Sequence, residues 1–310
     1  MRGAFAKTLV ELAAQDDRIM LLTGDLGFMA LEIFSERFPS RFVNMGVAEQ
    51  NMMGVATGLA EAGFIPFAYS IVTFASLRPY EFIRNGPIFH HLPVRVVGVG
   101  GGMEYGNAGP THHGLEDVSV MRTQPGITVI APADADQTAS ALRQTWHLPG
   151  PIYYRIGKND KVIIPNLDGR FELGRLQIVR EGGDLLLVAM GGITNEVVAA
   201  ADTLAKQGIQ ATVAIVSSFN PAPVDDLIRL LGRFPLTLTV EAHYITGGVG
   251  SLVSEVVAEQ ALGCRVVRCG LTTPPLAVSG SQSYLQHQYG ISASALVETA
   301  LRELQGIKTQ

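Results

Sequence analysis

The sequence predicts an α/β protein of two tandem doubly wound domains with largely parallel sheets, and three observations predict it. Its strand candidates are short and almost wholly apolar, where a sheet with one wet face would alternate. Glycine turns and amphipathic helices separate these strands in regular succession. The succession lapses once, in a polar stretch rich in glycine, and then starts again. With 310 residues the chain is long enough for two domains of ordinary size, each with its own core. Hydrophobic residues make up 47% of it and charged residues 16%, so most elements should be buried and a sizeable subunit interface is expected.

The elements follow in order. Phe5, Leu9, Leu12 and Ala13 recur at helical spacing, and residues 19–23 form a short apolar strand that ends at Gly24-Asp25. An apolar run ending at Val43 leads into a turn at Asn44 and Gly46, then into a helix whose Met52, Met53, Ala56 and Leu59 mark one face. Residues 65–68, 94–99, 127–131 and 152–154 read as strands, and residues 74–85 and 134–146 as helices. This first domain spans 1–157. Residues 158–183, with Pro165, Gly169, Gly174 and Gly182-Gly183, read as a linker. The second domain, 184–310, repeats the pattern. Its strands are expected at 185–190, 212–216, 236–240 and around Val266, and its helices at 193–204, 224–231, after Gly250 and at 293–304.

Composition excludes several functions. Lys plus Arg is 23 against 28 for Asp plus Glu, a net charge of -5 with no basic tract, which argues against nucleic acid as a partner. No apolar run is long enough to span a bilayer, and Met1-Arg2 opens a mixed helix rather than a signal peptide. Cys264 and Cys269 flank a strand, where they are expected to pack rather than bridge or bind metal; this fits a cytoplasmic protein. Heptads, low-complexity tracts and internal repeats are absent.

Parallel sheets carry ligands outside the carboxyl ends of their strands, so the residues just after strands hold the candidate chemistry. Glu49 lies three positions before Met52 on the same helix face. It is either a first-turn acid that complements the helix dipole, or a carboxylate facing a dry crevice, its pKa raised and its proton shared with a heterocyclic nitrogen. Phe74, after a strand and before a helix, either packs in the core or presents its face to a planar ring. The loop 100–117 is rich in glycine, but Met103 breaks the G-x-G-x-x-G spacing. Adjacent His112 and His113 point apart on most backbones, so with Glu116 and Asp117 they make no metal site. The glycines of 240–251 serve tight turning or an anion cradle and are assigned no catalytic part.

The run Gly46-Val-Ala-Glu-Gln-Asn-Met52 and the loop Gly109-Pro-Thr-His112 resemble the signatures of the transketolase family of thiamine diphosphate enzymes. The resemblance implies that Glu49 meets the aminopyrimidine ring and favours its imino tautomer. It implies that Phe74 stacks on that ring with Ile71 and Leu77 in place of further aromatics, and that Asp25 lies near the thiazolium. His112 and Asn107 would contact substrate, and Arg2 and Lys158 would bind its phosphate. Gly100 and Met29 stand where family members place a histidine and a serine for that phosphate, and Ala108 where many carry an acid that reads a sugar hydroxyl.

Only two of the family's three domains are covered, and no Gly-Asp-Gly run with a downstream Asn is present. The diphosphate and its Mg2+ are therefore expected mainly on a partner, an amino-terminal diphosphate-binding transketolase subunit, in an α2β2 heterotetramer in which this chain also self-associates as a dimer. The expected activity is transfer of a two-carbon ketol unit from a ketose, as its phosphate, to an aldehyde. Alternatives are a decarboxylating synthase resembling deoxyxylulose-phosphate synthase, a 2-oxoacid dehydrogenase beta-type subunit, and a non-catalytic scaffold subunit.

Overall fold

Two sheets organise the chain in a computed structural model that describes residues 1–274 and 278–308. The first half runs α1 (Arg2–Ala13), β1 (Ile19–Thr23), α2 (Glu32–Arg37), β2 (Phe42–Asn44), α3 (Glu49–Glu61), β3 (Ile65–Ile71), α4 (Val72–Ser76) and α5 (Tyr80–Ile83). It continues with β4 (Arg95–Val99), α6 (Asp117–Arg122), β5 (Thr128–Ile130), α7 (Ala135–Thr145) and β6 (Ile152–Ile156). The second half runs β7 (Gln177–Arg180), β8 (Leu185–Met190), α8 (Thr194–Lys206), β9 (Ala211–Ile215), β10 (Ser218–Asn220) and α9 (Val224–Leu231). It ends with β11 (Leu236–Tyr244), α10 (Val249–Glu259), β12 (Arg265–Leu271), α11 (Gln282–Gln288) and α12 (Ala293–Lys308). Residues 309–310, the end of the expected second domain, lie outside the described residues.

The larger sheet has the order β10-β5-β6-β4-β3-β1-β2 and the smaller one β12-β11-β8-β9-β7. Neighbours are parallel except for β10 on β5 and β7 on β9. The fully buried runs of β3, β4 and β6 are what a sheet covered on both faces requires. Two strands depart from the sequence division. β7 lies inside the segment 158–183 expected as a linker, and β10 leaves the second domain to close the edge of the first sheet. Besides a cluster centred on each domain, the two sheets share a third. One continuous cluster runs from Leu22, Met52 and Val96 of the first sheet layer to Val188 and Val253 of the second. Outer layers cover the opposite faces, with α1 and α7 on one sheet and α8 and α12 on the other.

The single helix expected over 74–85 is broken. Pro79 divides it, capping the start of α5 after α4 has ended at Ser76, and its last two residues pass into a π turn at Arg84–Ile88. Among the described residues, no helix is long and apolar enough to cross a membrane. Cys264 and Cys269 are free and buried.

Candidate active site

The parallel register of β1 on β3 brings their carboxyl ends side by side, with Thr23 opposite Tyr69. Gly24 follows β1, and a Cβ there would sit 3.3 Å from Glu49 Oε1, so the glycine leaves room for the carboxylate. Glu49 opens α3 and is 2% exposed. It is not the isolated acid of the dry-crevice reading. The Ser70 hydroxyl donates to Oε1 at 3.0 Å, and Arg78 Nη1 donates to Oε2 at 2.9 Å. A buried charge without partners would cost several kcal/mol, which is why tertiary structure supplies them.

Arg78 follows α4 with its side chain 44% exposed, and its guanidinium carbon lies 4.0 Å above the Phe74 ring centre. Phe74 in turn meets His112 edge to face, with ring centres 5.1 Å apart and an interplanar angle of 70°. Glu49, Arg78, Phe74 and His112 thus form one contiguous group. Ile71, 9% exposed, ends β3 and packs in the same cluster that supports Phe74. Sequence reasoning missed Arg78 and Ser70. The four-residue step from Phe74 to Arg78, which stacks neighbours on a helix face, was the available signal.

The loop carrying His112 is clamped from both domains. Gly102 and Gly114 exchange two backbone hydrogen bonds of 2.8 Å. Arg155, from the middle of the first sheet, pairs with Asp117 at 2.9 Å and donates to the carbonyls of Gly114 and Ala242 at 3.1 and 3.0 Å. The second domain adds Tyr244 N–H to Leu115 O at 3.0 Å and Gly280 N–H to Gly106 O at 3.2 Å. The Thr111 hydroxyl lies 3.0 Å from His112 Nδ1. His113 is buried with neither ring nitrogen partnered among the described residues, and burial lowers its pKa. Among the described residues, no group of three His, Cys, Asp or Glu could hold a metal ion.

A second group forms around Tyr105. The Gly100 backbone has φ +80°, and a Cβ there would lie 2.2 Å from the Tyr105 ring, so the tyrosine fills the space a side chain at 100 would need. Lys158 Nζ stands 4.6 Å from the centre of that ring. Burial pushes the Tyr105 hydroxyl up, and the nearby Arg2 charge is the strongest influence pulling it back. Lys158 thus meets this aromatic directly, and Arg2, at the start of α1, bears on it through its charge. Asp25, exposed and at φ +57°, pairs with Asn44: its N–H donates to Asn44 Oδ1 at 3.0 Å, and its Oδ1 accepts from Asn44 Nδ2 at 2.9 Å. Asn107 and Ala108 are exposed on the turn before Gly109. Met29 is 89% exposed.

Residues 1–161 match the family described as transketolase, pyrimidine binding domain, and residues 174–296 match transketolase, C-terminal domain. The chain is 35% identical over 303 residues to the 6-deoxy-6-sulfo-D-fructose transketolase subunit SqwH of a Clostridium species, covering 97% of this chain and 93% of that one. It is 33% identical over 302 residues to an apulose-4-phosphate transketolase subunit of Phocaeicola vulgatus, covering 97% and 96%. A solved structure described as split gene transketolase, inactive beta4 tetramer, superposes with a TM-score of 0.86 at 34% identity, over 98% of this chain and 97% of that one.

Proposed function

Because the chain belongs to the transketolase family, we propose that it is the pyrimidine-side subunit of a two-chain, thiamine diphosphate-dependent enzyme that moves a two-carbon ketol unit from a ketose to an aldehyde. The observation that carries this reading is the buried Glu49 carboxylate beside the Phe74 face, at the carboxyl ends of parallel strands. These groups fit a flat nitrogen heterocycle, since a planar cation, the Arg78 guanidinium, already meets both. The bound cofactor supplies the electron sink for carbon-carbon cleavage.

Each residue then has a task. Glu49 shares one proton with a ring nitrogen while Ser70 fixes its other oxygen. Phe74 stacks on the ring, and Ile71 and Leu77 give the pocket aliphatic sides. His112, its Nδ1 tied to Thr111, exchanges protons with substrate oxygens through Nε2. Asn107 would take a substrate hydroxyl, and Asp25, held by Asn44, would lie on the thiazolium side of the bound cofactor. Lys158, over the Tyr105 ring, and Arg2, at the start of α1, hold an anionic end of the sugar, a phosphate in this reading. The names of the two relatives carry a 4-phosphate and a 6-sulfo group, which supports an anion there.

The diphosphate and its divalent cation are held mainly by an amino-terminal subunit in an α2β2 assembly. Phe28 (73% exposed), Met29 (89%) and Val47 (71%) stand on loops that leave the same sheet edge, a surface suited to burial against another chain. The solved relative's description as an inactive tetramer of one subunit type supports the need for a second. Two free, buried cysteines support a cytoplasmic setting. The test is reconstitution with the diphosphate-binding subunit and assay of ketose and 2-oxo acid donors. Ketol transfer without carbon dioxide release, seen only with both chains, is expected. Release of carbon dioxide from a 2-oxo acid, or full turnover by this chain alone, would overturn the proposal.

A further inference from the structure

Arg78 stands where the cofactor ring is assigned. Its guanidinium, a flat cation, donates to Glu49 Oε2 at 2.9 Å and covers the Phe74 face at 4.0 Å. Those are the two contacts that the proposed function gives to the aminopyrimidine. One ring face takes one stacked partner, and a ring lying on Phe74 within reach of Oε2 would fill the space the guanidinium occupies. Arg78 and the ring therefore compete. We propose that Arg78 is a displaceable occupant of the pyrimidine site, which holds Glu49 and Phe74 in place before the cofactor arrives and must swing out for it to enter.

Three features make the exchange feasible. The Arg78 side chain is 44% exposed against 1% for Glu49, so water can take over its hydrogen bonds as it leaves. The residue follows the short helix α4 and precedes Pro79, and among the described residues no second hydrogen bond of its guanidinium ties it to the body of the protein. Ser70 keeps Oε1 satisfied throughout, so only Oε2 changes partner. The contact with Phe74 is weak and open to solvent, and the pair with Glu49 is given up only as the incoming ring takes over Oε2. Together they suffice to occupy the site in most molecules without blocking it.

The inference rests on the cofactor reading of Glu49 and Phe74, and one titration separates the two. Calorimetry of thiamine diphosphate with Mg2+ is run on the reconstituted two-subunit complex for wild type, Arg78→Gln, Arg78→Lys and Glu49→Ala. If Arg78 occupies the site about nine-tenths of the time, Arg78→Gln should bind about tenfold more tightly, with Arg78→Lys between it and wild type. In the same complex, the Arg78 Nε resonance should be shifted by the Phe74 ring current before cofactor is added and should move to a solvent-like position afterwards. Unchanged or weaker binding by Arg78→Gln, or a resonance that stays put, would overturn the displacement. Should Glu49→Ala bind as wild type does, the cofactor reading falls and takes the displacement with it. Weakened Glu49→Ala with no tightening in Arg78→Gln would leave the first standing and remove the second.

Discussion

Arg78 and Arg155 each hold a buried carboxylate at 2.9 Å, and there the likeness ends. The Arg78 side chain is 44% exposed, and its remaining contact is an aromatic face. Arg155 is 5% exposed and spends its other donors on the carbonyls of Gly114 and Ala242, while Asp117 also receives the Tyr153 hydroxyl at 2.8 Å. Water can substitute for the first pair and has no access to the second. The Arg78 pair is thus suited to exchange partners, and the Arg155 pair to hold the His112 loop between two domains. Equal bond lengths conceal opposite functions, and desolvation decides which is which.

The sharpest test of this contrast is Glu49→Gln. The amide keeps the size and the Ser70 contact, so proton sharing should fail while the fold survives. Turnover of the reconstituted complex should drop by about 10² to 10⁴-fold, and the melting curve should shift by no more than about 1 kcal/mol. Collapse of the fold would mean that the pair is as structural as its counterpart.

Arg155→Met should invert that outcome. It leaves Asp117 charged, buried and short of a partner, at a cost of about 3 to 5 kcal/mol. Denaturant unfolding measures it, and a loss under about 1 kcal/mol would break the comparison from the other side.

Glu241 and His243 lie in the same buried interior, near Asp117 and Arg155 and below the start of α10. The amides of Val249 and Gly250 donate to Glu241 at 2.9 and 3.0 Å, and Arg268 also bears on it. Burial pushes Glu241 up to about 7 from 4.5, against those amides. A carboxyl so raised favours the fold while protonated: its contribution is complete below pH 4.5 and is lost as pH rises through about 7. Burial pushes His243 down to about 4 from 6.5, with Asp117 opposing. Its contribution is complete above pH 6.5 and is lost as pH falls through about 4. The two slopes oppose each other between these limits. Glu241→Gln should therefore add a slope, stability rising with pH by about 2 to 3 kcal/mol from pH 4.5 to 6.5 relative to wild type. Parallel pH profiles for the two proteins would show that the carboxyl does not titrate there.

The smallest effect belongs to Arg122, which joins Glu255 across the domains with the acid 50% exposed. Arg122→Ala should cost less than about 1 kcal/mol, read from the same denaturation curves. A cost near that of Arg155→Met would show that crossing the interface, rather than burial, sets the strength of these pairs.

Much was legible in the sequence because it is local. Apolar runs without alternation determined parallel, doubly covered sheets, and the first strand and several helices stand within a residue or two of their expected places. The three-residue step from Glu49 to Met52 put a carboxylate on a buried helix face, and Asp134 marked the start of α7, where its side chain accepts the Gln137 amide at 2.8 Å. The break of 74–85 was written in Pro79 and was overridden by apolar spacing.

Tertiary structure alone decided the partners. Glu49 meets Ser70 and Arg78 from 21 and 29 residues away, Arg155 reaches Ala242 across 87, and β10 crosses to β5 to seal the first sheet. Periodicity reports which face of an element is apolar. It carries no information on which distant element will lie against that face, because that is settled by the register of the sheets and by packing one shared core between them.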